Sequence, residues 1–137
     1  MIAELAGYRE VEHTADWELE VWATDLTGLL EQAARGMSYL SGMRLKSEPR
    51  LVRKITLQAN DPETLLVKFL SELLFYAEQE EIGFDIFRIA VNGSNLQAEL
   101  EGAQLATIEK EIKAVTYHRL AVRQADGKLM VNIVFDV

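Results

Sequence analysis

The stretch Leu129 to Val137, Leu-Met-Val-Asn-Ile-Val-Phe-Asp-Val, leaves few options for the architecture around it. In an extended strand Leu129, Val131, Ile133, Phe135 and Val137 share one face, and Met130, Asn132, Val134 and Asp136 share the other. A strand apolar on one side has to bury that side against a second layer, so this segment closes a sheet that carries something packed on it. Termini ordinarily fray, and an apolar strand running to the last residue implies that this end is held in place. The Asp136 side chain and the Val137 α-carboxylate then put two anionic groups on adjacent residues, oxygen donors of the kind a hard cation shares. Paired carboxylates near a terminus are also common surface features, and a metal site needs a third.

Helical stripes supply the second layer. Asp25 can cap a helix over 25–40 whose Leu26, Leu29, Leu30, Ala33, Ala34, Met37 and Leu40 lie on one side. Asn60-Asp61-Pro62-Glu63 opens a longer helix over 62–81, with Asp61 accepting from free backbone amides and Pro62 lacking a donor that would go unsatisfied. Its apolar stripe is Leu65, Leu66, Phe69, Leu70, Leu73, Leu74 and Ala77, and Glu78, Glu80 and Glu81 make a solvated acidic end. Strands are expected at Tyr8 to Val11, at Trp17 to Thr24, at Leu51 to Ala59 with Arg53 spoiling one apolar face, and at Phe84 to Val91. Asn92-Gly93 turns that last strand back into Asn95 to Leu100, and Ala125-Asp126-Gly127-Lys128 does the same before the terminal strand. Ser41 to Pro49 reads as a loop, Gly102 to Lys110 as a loop or short helical turn, and Glu111 to Arg123 as a strand. The expected fold class is therefore α+β: one domain over 1–137, a mostly antiparallel, curved sheet packed with two principal helices.

Composition limits the chemistry. The 22 acidic and 14 basic residues give a net charge of -8, the wrong sign for strong direct binding to nucleic acid, so any role in RNA chemistry runs through a partner. The absence of cysteine excludes disulfides, thiolate zinc sites and cysteine nucleophiles. No apolar run reaches membrane-spanning length and the N-terminus lacks the pattern of a secretory signal, so the expected location is the cytoplasm, with no membrane partner.

Asp16, in Glu12-His13-Thr14-Ala15-Asp16, is the candidate third carboxylate, although a loop capped by its own polar side chains accounts for the same residues. His13 fits a metal ligand, a general base or a buried hydrogen-bonded imidazole, the last being the commonest fate of such a histidine. In Lys113-Ala114-Val115-Thr116-Tyr117-His118 a strand would put Thr116 and His118 on the same side. No nucleophile elbow and no phosphate-binding glycine loop occurs, and neither histidine has a foreseeable carboxylate and serine partner. A free-standing metal-dependent hydrolase is disfavoured because no convincing base or nucleophile accompanies the carboxylates.

Taken in order, His13-Thr14-Ala15-Asp16, Asp61-x-Glu63-x-Leu65-Leu66, Lys113-Ala114-Val115-Thr116-Tyr117-His118 and Phe135-Asp136-Val137 resemble the archease family along essentially the whole chain. One departure is Gly102-Ala103-Gln104, where relatives often carry Gly-Glu and a histidine. The resemblance implies a non-catalytic protein cofactor of a GTP-dependent, RtcB-type RNA ligase, promoting guanylylation and repeated turnover in tRNA splicing and RNA repair. It also implies a metal site on Asp16, Asp136 and the Val137 carboxylate. Oxygen-only donors suit a divalent hard ion, calcium, magnesium or manganese, better than zinc or copper. His13, Lys113, Thr116 and His118 would then be neighbours of that site or contacts for the partner. The competing expectation is a chaperone or specificity modulator of an RNA-modifying enzyme such as a tRNA cytosine methyltransferase.

Overall fold

Local signals set the element boundaries. In the computed structural model, which describes residues 5–12 and 15–137, β1 (Gly7–Val11) leads to β2 (Trp17–Ala23) and then to α1 (Leu26–Ser41). Asp25 caps α1 by accepting the Gly28 N–H at 2.7 Å. The helix stops at Gly42, which sits at φ 64, while the Gly42 and Met43 amides donate to the Tyr39 and Ser38 carbonyls at 3.1 Å each. A two-residue strand, β3 (Arg44–Leu45), interrupts the expected loop, and β4 (Leu51–Gln58) follows. Asp61 then caps α2 (Pro62–Glu80), its carboxylate accepting both the Thr64 N–H at 2.7 Å and the Thr64 hydroxyl at 3.0 Å. Both hydrogen bonds favour the charged carboxylate and hold the Asp61 pKa below its ordinary value.

The second half is β-rich: β5 (Ile82–Asn92), β6 (Asn95–Thr107), β7 (Ala114–Val115), β8 (Arg123–Ala125) and β9 (Lys128–Asp136). The expected single curved sheet is two antiparallel sheets. One runs β1-β2-β9-β7 with β8 also on β9; the other runs β3-β6-β4 with β5 on the far side of β6. The α+β class stands. Helix α1 contacts β1, β2 and β9 of the first sheet and β5 of the second, and α2 contacts β4, β5 and β6 of the second and β7 of the first. Both helices thus share one core with the two sheets, centred on Phe69, Leu19, Leu30, Leu66, Leu70, Leu100 and Ile133, all fully buried. Arg53, which breaks the apolar face of β4, donates to Glu80 at the end of α2 at 2.9 Å, so its charge leaves the core at the edge.

Two expectations fail for local reasons. Residues 102–107 are not a loop but the continuation of β6, and the glycine that suggested a break marks a β-bulge in the neighbouring strand. Phe84 pairs with Gly102 and Ile86 with Glu101, leaving Asp85 as the extra residue, and a Cβ on Gly102 would overlap the Gly83 carbonyl oxygen. Residues 111–123 are not one strand. After Val115 the Thr116 hydroxyl competes for backbone partners, donating to the Val134 carbonyl at 2.9 Å and accepting the His118 N–H at 3.3 Å. A turn with Arg119 at φ 51 follows, and the chain rejoins β9 only at Arg123. Among the described residues no helix is long and apolar enough to cross a membrane.

Candidate functional site

The terminal strand β9 lies between β2 and β7, and its register brings the sequence candidates to one end of the first sheet. Trp17 pairs with Phe135, so Asp16 and Asp136 are the next residues outward on the two strands. On the other side Ala114 pairs with Asp136 and Val115 with Phe135. The Lys113 N–H donates to the Asp136 carbonyl at 2.8 Å, tying this end of the sheet one residue beyond the β7 ladder. Asp16, Asp136 and Lys113 are all exposed, whereas Trp17 is half-buried and Phe135 buried in the core behind them. Val137 is half-buried and packs against the same core.

Thr116 fixes the other wall. Its N–H and its hydroxyl both donate to the Val134 carbonyl, at 3.1 and 2.9 Å, and its oxygen holds the His118 amide. His118 is exposed at the turn and Thr116 half-buried. They are neighbours through a hydroxyl-centred turn, not through the strand alternation expected from sequence. His13 lies outside the described residues.

The donor set suits a hard cation. It offers the carboxylates of Asp16 and Asp136, oxygen donors with no sulfur, on residues that the β2–β9 register brings to one sheet end. Among the described residues no group of three or more His, Cys, Asp or Glu side chains could hold a metal.

Two carboxylates that shape this region carry no site role in the sequence motifs. Glu63, in the first turn of α2, accepts the Val122 N–H at 2.8 Å and so ties the 116–122 turn to the helix 59 residues earlier in the chain. Its place two residues after a capping Asp61 was visible; its target was not. Glu18 shares the outer face of β2 with Asp16 and accepts from the Asn132 side-chain amide at 2.7 Å, while the Asn132 oxygen accepts from Arg123 at 3.1 Å. This chain occupies Glu18 sideways across the sheet. The i, i+2 spacing from Asp16 was the only sequence signal for it.

Residues 8–137 match a model of the Archease protein family. Among curated relatives, the protein archease of Pyrobaculum islandicum is 33% identical over 140 residues, covering 95% of each chain. That of Methanosarcina barkeri is 33% identical over 139 residues, again covering 95% of each. A crystal structure of an archease from Thermotoga maritima, described as a possible chaperone, superposes with a TM-score of 0.71 at 24% identity, covering 94% of this chain and 96% of that one. The solution structure of a Methanobacterium thermoautotrophicum protein gives 0.68 at 23% identity, covering 96% and 99%. At these identities the two structures speak to the fold.

Proposed function

The chain belongs to the archease family, and from that premise we propose that it is a non-catalytic activator of a GTP-dependent, RtcB-type RNA ligase, acting through a carboxylate metal site of Asp16, Asp136 and Val137. The observation that carries this reading is the β2–β9 register, in which Trp17 opposite Phe135 leaves Asp16 and Asp136 adjacent at the exposed end of the sheet. A divalent ion there would supply charge neutralisation at phosphate oxygens. The chain's own residues orient the donors. Lys113 and Ala114 clamp the backbone of Asp136, the Val137 side chain packs against the core, and Thr116 holds the His118 turn. Lys113, His118 and His13 are then contacts for the partner, and the site sits at the surface that meets it. The activity is placed in the cytoplasm, in tRNA splicing and RNA repair, with no direct strong binding of RNA by this chain.

A ligase turnover assay tests the reading. Asp16→Ala and Asp136→Ala are expected to abolish stimulation, and a short C-terminal extension, which moves the terminal charge away from Val137, is expected to impair it. Full stimulation by both alanine variants would refute the proposal. A second reading is a chaperone or specificity modulator of an RNA-modifying enzyme such as a tRNA cytosine methyltransferase. The Thermotoga maritima protein's description as a possible chaperone favours it. Under that reading the same variants keep their effect on the client enzyme.

A further inference from the structure

A second site lies where the two helices end. A cavity of about 530 Å³ opens between the C-terminal turns of α1 and α2, the start of β5 and the segment after β6. That volume is in the range that holds a ligand or a large side chain. Its floor is apolar and fixed, with Met37, Leu73, Phe84, Phe87 and Ile112 all buried. Every ionisable group lining it is acidic: Glu78, Glu81 and Glu111, all exposed at the mouth. Among the described residues none of the three is in an ion pair, whereas Glu20, Glu31, Glu80, Glu99 and Glu101 each hold an arginine. Both helices also direct the negative ends of their dipoles toward this opening, and neither carries a basic residue in its last turn. Carboxylates and carbonyl dipoles thus surround an apolar hole with no positive charge to balance them.

We infer that this mouth is a docking site for a basic segment of a partner protein, one bulky apolar side chain entering the cavity while flanking Lys or Arg residues meet the rim. Three separated carboxylates exceed what a single-headed small cation would match, and they stand beside the hole rather than inside it. An anchor with charges on either side satisfies both features. The net charge of -8 steers such a segment toward the chain. This inference goes beyond the ligase reading and does not depend on the carboxylate site.

The probe is a fluorescein-labelled peptide, Gly-Lys-Lys-Trp-Lys-Lys-Gly, titrated with the full chain by fluorescence anisotropy in the absence of ligase and RNA. Saturable binding is expected, weakened roughly tenfold or more when the peptide Trp is replaced by Ala. A comparable loss, on the order of tenfold at low salt, is expected when its lysines become Gln or when Glu78→Gln, Glu81→Gln and Glu111→Gln are combined. Ala77→Phe, which fills the mouth from α2, is expected to abolish binding with an unchanged far-ultraviolet circular dichroism spectrum; if that variant does not fold, the triple rim variant carries the test. Non-saturable binding, equal binding of the Trp-less peptide, or an affinity indifferent to the rim carboxylates would each overturn the inference. Because the assay contains no ligase, its failure leaves the activator reading standing, and loss of ligase stimulation in Asp136→Ala leaves this one untouched.

Discussion

Removing the Glu63 carboxylate tests whether α2 holds the turn that borders the candidate site. Glu63 Oε2 accepts the half-buried Val122 N–H at 2.8 Å, and Leu120 and Val122 pack against the core on either side of that bond. A hydrogen bond to a charged acceptor is worth about 1.5–3 kcal/mol, and an acid in the first turn of a helix adds about 0.3–1 kcal/mol through the dipole. Glu63→Ala should therefore cost about 2–4 kcal/mol, leaving the Val122 amide without its acceptor. Glu63→Gln keeps a neutral acceptor and loses the charge, so about half that cost is expected. For a domain of this size the alanine variant should melt roughly 10 °C lower. The more specific readout is amide exchange at Val122, which should accelerate about 30–700-fold if the whole cost falls locally, since each 1.4 kcal/mol of lost local stability is about tenfold. If Glu63→Ala melts with the wild type and Val122 exchanges at its original rate, the helix does not anchor this turn. If the Ala and Gln variants lose the same stability, the charge carries the whole effect; if Gln matches the wild type, the charge adds nothing and a neutral acceptor suffices.

Gly102→Ala should destabilise by about 1–3 kcal/mol or more in urea unfolding, because the new Cβ would overlap the Gly83 carbonyl oxygen and lie 2.7 Å from the Phe84 Cα, so that backbone must move; a neutral outcome would mean the bulge relaxes freely. Asp61 has its pKa held below the ordinary 3.8 by the Thr64 hydrogen bonds, so its cap contributes stability above that value and loses it as pH falls through the depressed folded value. The melting temperature of the wild type relative to Asp61→Asn should accordingly fall on acidification below about pH 4, and a difference independent of pH would contradict this assignment. Calcium, magnesium or manganese at about 100 times its dissociation constant should raise stability by about 2.7 kcal/mol in the wild type and not in Asp136→Asn; equal shifts in both would put the ion elsewhere. Phe69→Ala, at a fully buried position of α2, should cost about 3–5 kcal/mol in the same unfolding measurement.

The sequence by itself determined what short-range physics controls. Asp25 and Asp61 cap because a short side-chain oxygen reaches amides three residues ahead, and the stripes Leu29 to Leu40 and Leu65 to Leu73 could bury only as helices. Alternation in Leu129 to Val137 likewise specified which face of the last strand meets the core, and the family motifs pointed to Asp16 and Asp136. Where a hydroxyl or a glycine set the path, periodicity misled: Thr116 turned an apparent strand away, and Gly102 kept an apparent loop inside a sheet, because each depends on a partner distant in the chain. Only the tertiary structure decided that β9 lies between β2 and β7 in a register that brings Asp16 beside Asp136, that Glu63 reaches Val122, and that the two helices end around one acid-rimmed cavity. Such pairings come from closing long loops around a shared core, and the free energy that selects among them belongs to the packed whole rather than to any local segment.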